Sequence, residues 1–343
     1  MLPLSVLDLS FVTTATPGAA ALRQTIDLAC LADQLGYRRF WVAEHHNLPS
    51  VASGAPEVMI GAIAAATRRI RMGSGGVMLP NHAPLMVAER FKVLEALYPG
   101  RIDLGIGRAP GTDPLTTLAL RRRQDGARAD DDFLERFQEL LLWKTGGFPE
   151  GHPFRAIRVM PEDVELPPIW LLGSSDYGAE LAGEVGLGFA FAHHFASLDA
   201  ADAIGRYRAR FRPSRWLDRP HAILATAAIC AETDAEAEQL AATADFAHLR
   251  RARGEYGPLV SPEEALAEPW SPAEEAARRA NRRRLLVGGP ERVRDRLAAL
   301  AEGVGADEIM VMTAVFDHGA RRRSYELLAE AFRLEAPGAV APR

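Results

Sequence analysis

The stretch Trp41-Val42-Ala43-Glu44-His45-His46-Asn47 sets a carboxylate and two neighbouring imidazoles directly after a short apolar run, Phe40–Ala43. A run of that length reads as a buried strand, so the polar trio stands at the strand's C-terminal mouth. In a parallel β/α barrel, chemistry is done at that mouth. Histidine is also the side chain best suited to moving protons near neutral pH. One strand end is a weak signal, and the fold is decided by its recurrence along the chain.

Outward from this stretch, Leu4–Phe11 reads as an earlier strand. Between the two, Ala19–Leu35 carries Leu22, Ile26, Leu28 and Ala29 at helical spacing and stops at Gly36. Strand Arg38–Ala43 is followed by a helix that Pro56 opens, where a missing N–H costs least, and that runs to about Ala66. Strand Ile70–Gly75, helix Pro84–Leu97, the Pro99-Gly100 turn and strand Ile102–Gly107 come next. Helix Asp131–Trp143, strand Ile169–Leu172, helix Asp176–Val185, strand Phe189–Ala192 and helix Asp199–Phe211 continue the rhythm. Strand Ala222–Cys230, helix Asp234–Arg250, helix Pro290–Glu302, strand Glu308–Met312 and helix Arg321–Phe332 complete it.

Short apolar strands alternating with amphipathic helices predict an α/β protein with a parallel sheet. Eight such units favour a closed (β/α)8 TIM barrel over an open doubly wound sheet. Gly146–Leu166, rich in Pro and Gly, predicts an insertion before the fifth strand, and the polar stretch Gly254–Leu285 another between the seventh and eighth. Residues 1–335 read as a single domain and 336–343 as a tail.

The 343 residues are 48% hydrophobic and 25% charged, enough for a large core, and the net charge of −5 gives no reason to expect nucleic acid. Cys30 and Cys230 lie far apart in apolar runs, which predicts two buried thiols and no disulfide framework. Without an apolar run near the roughly 20 residues of a membrane span, or a basic leader before an apolar core, the expectation is a cytoplasmic protein off the membrane. Arginine triplets at Arg121–Arg123, Arg282–Arg284 and Arg321–Arg323 read as solvated helix faces or loops, with a phosphate patch as the alternative.

The strand ends carry the chemistry. At Glu44-His45-His46, proton transfer or stabilisation of a peroxide suits the position. A packed strand end and a metal site shared with His193-His194 are the rival readings, and no zinc-type spacing is present. Gly73-Ser74-Gly75-Gly76 allows either a flexible turn or close approach of backbone to a flat ligand. Gly105-Ile106-Gly107-Arg108-Ala109-Pro110-Gly111 mimics a dinucleotide fingerprint, but its third glycine falls one position late and Thr112-Asp113-Pro114 follows in place of a helix start. Arg108 at a strand end suits a phosphate, which it can grip bidentately. Gly173-Ser174-Ser175-Asp176 leaves a strand and opens a helix, so it is either an ordinary N-cap or half of a phosphate cup with Arg108. His193-His194 follow the sixth strand and are candidates for the substrate cavity, as is His46.

Taken together, Trp41–His46, Gly73–Pro84, Ala88–Gly111, Gly173–Ser175 and Leu286–Pro290 make the chain resemble the bacterial-luciferase-like flavin monooxygenases, in the single-chain branch. The resemblance implies a barrel that binds FMN at the strands' C-terminal mouth and uses molecular oxygen to oxidise a small organic substrate. By analogy, His45 stabilises a flavin hydroperoxide with Glu44 orienting it, and Arg108, Gly173, Ser174 and Ser175 hold the phosphate. Gly75 and Gly76 match the pair whose non-prolyl cis peptide lies against the flavin ring. Since the chain has no nicotinamide fingerprint, reduced FMN is expected from a separate NAD(P)H:flavin reductase; no metal is expected, and the pairing of related barrels implies a homodimer. Luciferases carry Ala-Ala at Gly75-Gly76 and a reactive cysteine at Gly107, so light emission is not implied. Two alternatives stay open: hydride transfer with the deazaflavin F420 on the same fold, and a flavin-binding protein without catalysis.

Overall fold

The computed structural model describes residues 2–121, 132–196 and 198–335. Its strands are β1 (Leu4–Asp8), β2 (Arg39–Val42), β3 (Arg71–Ser74), β4 (Val77–Met78), β5 (Ile102–Gly107), β6 (Ile169–Gly173), β7 (Gly188–Ala192), β8 (Ala222–Cys230), β9 (Leu285–Gly288) and β10 (Glu308–Met312). All pairings among them are parallel. Neighbours run β1-β2-β3-β5-β6-β7-β8, and β10 pairs with both β8 and β1, which closes an eight-stranded barrel. β4 adds to β5 beyond the end of β3, and β9 adds to the last four residues of β8.

Helices pack around this ring: α1 (Gly18–Leu35), α2 (Pro56–Ala66), α3 (Pro84–Leu97), α4 (Pro114–Arg121), α5 (Phe133–Thr145), α6 (Asp176–Val185), α7 (Ala200–Arg210), α8 (Asp234–Ala252), α9 (Pro262–Ala267), α10 (Pro272–Asn281), α11 (Pro290–Val304) and α12 (His318–Phe332). Their ends follow local chemistry. Proline opens α2, α3, α9, α10 and α11, and Gly36, Gly146, Gly186 and Gly305 close α1, α5, α6 and α11 in the left-handed conformation. The main core lies between strands and helices, where Phe40, Ile60, Phe91, Phe189, Leu224 and Leu328 are fully buried.

Alternation along the strands stacks the barrel interior in three levels. The lowest is ionic. Arg39 Nη1 reaches Asp103 Oδ2 at 2.7 Å and Arg39 Nε reaches Glu308 Oε1 at 3.0 Å, while Ser5 Oγ donates to Glu308 at 2.5 Å. Two residues further along, Leu7, Trp41, Trp170, Ile223 and Met310 form an apolar plug. Above the plug the inward positions shrink to Ala43, Gly107, Ala190, Ala192, Ala225 and Ala227, and a cavity opens toward the strands' C-terminal ends.

The barrel class agrees with the sequence reading, and differences are local. The first strand stops at Asp8, and Phe11 forms only an isolated bridge to Val51. β4 and β9 have no counterpart in the sequence pattern, because strands of two and four residues carry no periodicity. The stretch Gly254–Leu285 holds α9 and α10 and runs into β9, and Thr112–Asp130 contains α4. The last helix begins at His318, before Arg321. The arginine triplets are not uniformly solvated. Arg321 is buried and paired with Asp8 at 3.1 Å, Arg282 grips Asp245 at 2.6 Å, and Arg284 lines the cavity. Cys230 is buried and Cys30 half-buried, both as free thiols. Arg122, Arg123, the Asp131 helix start and the 336–343 tail lie outside the described residues. Among the described residues no helix is long and apolar enough to cross a membrane.

Candidate active site

The cavity above the apolar plug has a volume of about 750 Å³, within the range of small-molecule and cofactor sites. Every strand end singled out in the sequence reaches it. His45, Gly75, Gly76, Arg108, Gly173, Ser174, Ser175 and His194 all line it. The Gly75–Gly76 peptide is cis.

His45 follows β2, and its ring is held by the carbonyl of Gly111, another residue of the cavity wall, 3.3 Å from Nδ1. That contact assigns the proton to Nδ1 and leaves Nε2 without a partner among the described residues. Burial lowers the pKa of His45, with the Arg251 charge pushing the same way against the Gly111 bond. The resting ring is therefore neutral near pH 7. Gly111 sits at φ +69°, and a Cβ there would come within 3.0 Å of the Glu44 carbonyl, so this turn is built for glycine.

Glu44 does not orient His45, which corrects the sequence expectation. The two side chains leave the strand end in opposite directions, as successive residues do. The fully buried Glu44 carboxylate points away from the cavity lining and accepts hydrogen bonds from four groups. His46 Nε2 lies 2.8 Å from Oε1, the Met78 N–H 2.8 Å from Oε2, and Asn81 Nδ2 3.3 Å from Oε1, while His82 Nε2 is 3.0 Å from both oxygens. Burial would raise this carboxyl's pKa, but hydrogen bonds from His82, His46 and the Met78 N–H hold it below the ordinary range. Asn81 also donates to the Pro110 carbonyl at 3.0 Å, one residue before Gly111. Glu44 thus ties the loops after β2, β3 and β5 together and supports His45 only through that backbone. His46 belongs to this cluster and not to the cavity wall.

Arg108 is exposed at the end of β5, its guanidinium stacked 4.8 Å from the centre of the Tyr177 ring. Ser175 is the N-cap of α6, yet its side chain makes no capping bond. The hydroxyls of Ser174 and Ser175, the guanidinium and the positive end of α6 therefore border one space with no protein acceptor among the described residues, a donor set that fits a phosphate. Gly105 and Gly107, the false dinucleotide pattern, lie inside β5, where a Cβ on Gly105 would come within 2.0 Å of the Ser74 carbonyl oxygen. Gly105 thus serves the close approach of strands, whereas Gly107 lines the cavity, where a Cβ would come within 2.8 Å of the Met78 sulfur.

His194 lines the cavity, its Nδ1 3.1 Å from the Ala225 carbonyl, and burial drives its pKa down to about 4. His193 turns away from the cavity wall and buries an Nε2 with no hydrogen-bond partner among the described residues. Among the described residues, no three His, Cys, Asp or Glu side chains are grouped to hold a metal ion. Sequence reasoning missed Asn81 and His82, which lie 37 and 38 residues from Glu44, and Tyr177 beneath Arg108. It also missed His248, Arg251 and Arg284 on the far wall, where the only available signal was the Arg282–Arg284 run.

The sequence profile of the luciferase-like monooxygenases matches residues 3–308. A luciferase-like monooxygenase of Escherichia coli strain K12 is 43% identical over 323 residues, covering 94% of this chain and 95% of that protein. The apo crystal structure of MsnO8 superimposes with a TM-score of 0.87 at 42% identity, covering 98% of this chain and 99% of that one. The oxygenating constituent of 3,6-diketocamphane monooxygenase, from a Pseudomonas putida plasmid and solved in complex with FMN, shares the fold with a TM-score of 0.71 at 20% identity, covering 100% and 99% of the two chains. This chain belongs to the luciferase-like monooxygenase family.

Proposed function

We propose that the protein is a monooxygenase that works with reduced FMN and molecular oxygen on a small organic substrate. The observation that carries this reading is the convergence, in one cavity above an apolar floor, of the Arg108–Ser174–Ser175 cup, the glycine pair and a neutral His45 whose Nε2 has no partner among the described residues. Arg108, the two serines and the α6 N-terminus would hold the phosphate, and the Gly75-Gly76 backbone would lie along the ring system. The bound reduced flavin would supply the activation of oxygen. The chain's own work is to bind and orient, to exclude water with Leu7, Trp41, Leu172 and Met310, and to hold or accept a proton at His45 Nε2. Delivery of reduced FMN by a separate NAD(P)H:flavin reductase fits a sequence without a nicotinamide fingerprint.

The test is anaerobic mixing of the protein with reduced FMN, followed by rapid addition of oxygen and absorbance recording. A protein-bound species distinct from reduced and oxidised FMN, outliving the free-flavin control and shortened in His45→Ala, is the expected result. Reoxidation at the free-flavin rate overturns the reading. Parallel titration with reduced F420 tests the same cup for the deazaflavin, and tighter F420 binding would replace FMN as cofactor.

The homodimer proposal draws on α2 and α3, which pack together and leave Val58, Met86, Val93 and Leu97 exposed. A monomer mass by light scattering at micromolar concentration would refute it.

A further inference from the structure

A second group of cations lines the same cavity from another sector of its rim. Arg250 and Arg251 leave the last turn of α8, Arg284 immediately precedes β9, and Asn281 ends α10. The Arg108 cup follows β5 and β6, and this second group follows β8, with β7 and its His193–Phe195 turn between them.

Four arginines of this sector that do not line the cavity are closely matched with acids, while the exposed Arg283, also off the cavity wall, has no ion-pair partner among the described residues. Arg253 pairs with Glu268 at 2.7 Å and Glu274 at 2.8 Å, Arg278 with Glu275 at 2.7 Å, Arg282 with Asp245 at 2.6 Å, and Arg292 with Asp234 at 2.8 Å. The guanidinium groups of Arg251 and Arg284 have no hydrogen-bond or ion-pair partner among the described residues. Arg250 is intermediate, with Glu255 at 3.8 Å. Among the described residues, Glu255 is the one carboxylate on a cavity wall that carries Arg108, Arg250, Arg251 and Arg284. A phosphate at the Arg108 cup would still leave this sector positive.

Such charges at the edge of an apolar cavity focus potential into it and favour an anion there. The histidines nearby offer no counter-charge. Burial keeps His45, His194 and His248 neutral, and the charge of Arg251 acts on all three in the same direction. Arg251 is therefore electrostatically close to the His45 end of the cavity, where chemistry is proposed.

We propose that Arg251 and Arg284, with Asn281, form a subsite for the carboxylate of an organic substrate whose apolar body lies over the plug of the barrel. This assignment rests on the flavin reading of the Arg108 cup, because without it the same arginines could serve a cofactor phosphate.

The experiment is calorimetric titration of FMN-loaded protein with octanoate and with its neutral counterpart octanamide. Octanoate is expected to bind at least about tenfold tighter, the scale of one charge-assisted hydrogen bond. Arg251→Gln and Arg284→Gln should each erase most of that preference and leave oxidised-FMN affinity within about twofold. Arg292→Gln, which removes an outward-facing and already paired arginine, should behave as wild type. Equal binding of the two probes, or no octanoate binding, overturns the subsite. So does a loss of FMN affinity in the arginine variants as large as their loss of octanoate affinity, which would assign them to the cofactor. An arginine-dependent octanoate preference in protein that fails to bind FMN would sustain the subsite and defeat the flavin reading.

Discussion

Replacing Glu44 with Gln tests how the reactive end of the barrel is held. The carboxylate accepts from His46, the Met78 N–H, Asn81 and His82 with no exposure to solvent. Glutamine keeps one acceptor and presents an amide that must donate. If its oxygen faces the Met78 N–H, the amide meets the donors of Asn81 and His46. His46 can answer by exchanging tautomers, whereas the Asn81 amide cannot. His82, which spans both oxygens, keeps at most a neutral bond in place of a charge-assisted one. One charge-assisted bond lost and one buried donor left unmatched cost about 3 kcal/mol together. For a barrel of this size that lowers the melting temperature by roughly 5 °C.

The pH dependence has a definite sign. Because the folded pKa of Glu44 lies below its ordinary value of 4.5, its contribution is complete above pH 4.5 and is lost as the pH falls through the folded value. The gap between wild type and Glu44→Gln, followed by urea unfolding, should therefore be full at pH 7 and close below pH 4.5. FMN binding should weaken as the Pro110–Gly111 turn loosens. A loss under about 1 kcal/mol at pH 7, or a gap that widens in acid, would refute the reasoning.

Arg108→Ala removes an exposed cation that stacks on the Tyr177 ring and has no ion-pair partner among the described residues, so oxidised-FMN affinity should fall about 10- to 100-fold while the melting temperature of flavin-free protein stays unchanged. Unaltered affinity would place the phosphate elsewhere. The pKa of His194 is depressed to about 4, so the unfolded chain takes up this proton first. Stability should be full above pH 6.5 and decline by at most about 3 kcal/mol toward pH 4. His194→Asn should flatten that part of the melting curve against pH, and an identical curve would contradict the buried neutral ring. Gly105→Ala drives a methyl group against the Ser74 carbonyl on one side and the Leu172 side chain on the other, and should cost about 3 kcal/mol or more by urea midpoint. A silent substitution would mean that β3 and β5 can separate there.

Local chemistry determined what could be read from the chain alone. Apolar runs of strand length, helices opened by Pro56, Pro84 and Pro290 and closed by Gly36, and polar residues at strand ends are signals carried by neighbours in sequence. They sufficed for the barrel and for placing His45, Arg108, Ser174 and Ser175 at one rim, because a parallel barrel sends every strand's C-terminal end to the same face. What those signals lack is direction and partnership across long separations. Whether Glu44 serves His45 or His82 depends on which face of the strand end each residue takes. Whether an arginine run is solvated depends on what packs beside it, so the ordinary-looking Arg282–Arg284 puts one guanidinium on Asp245 and the next but one into the cavity. The Arg39–Asp103–Glu308 ion network joins residues up to 269 positions apart, and no local periodicity encodes it. Those choices are made only when the ring closes, because closure alone decides which charges lose water together and must be matched, and which are left facing an open cavity.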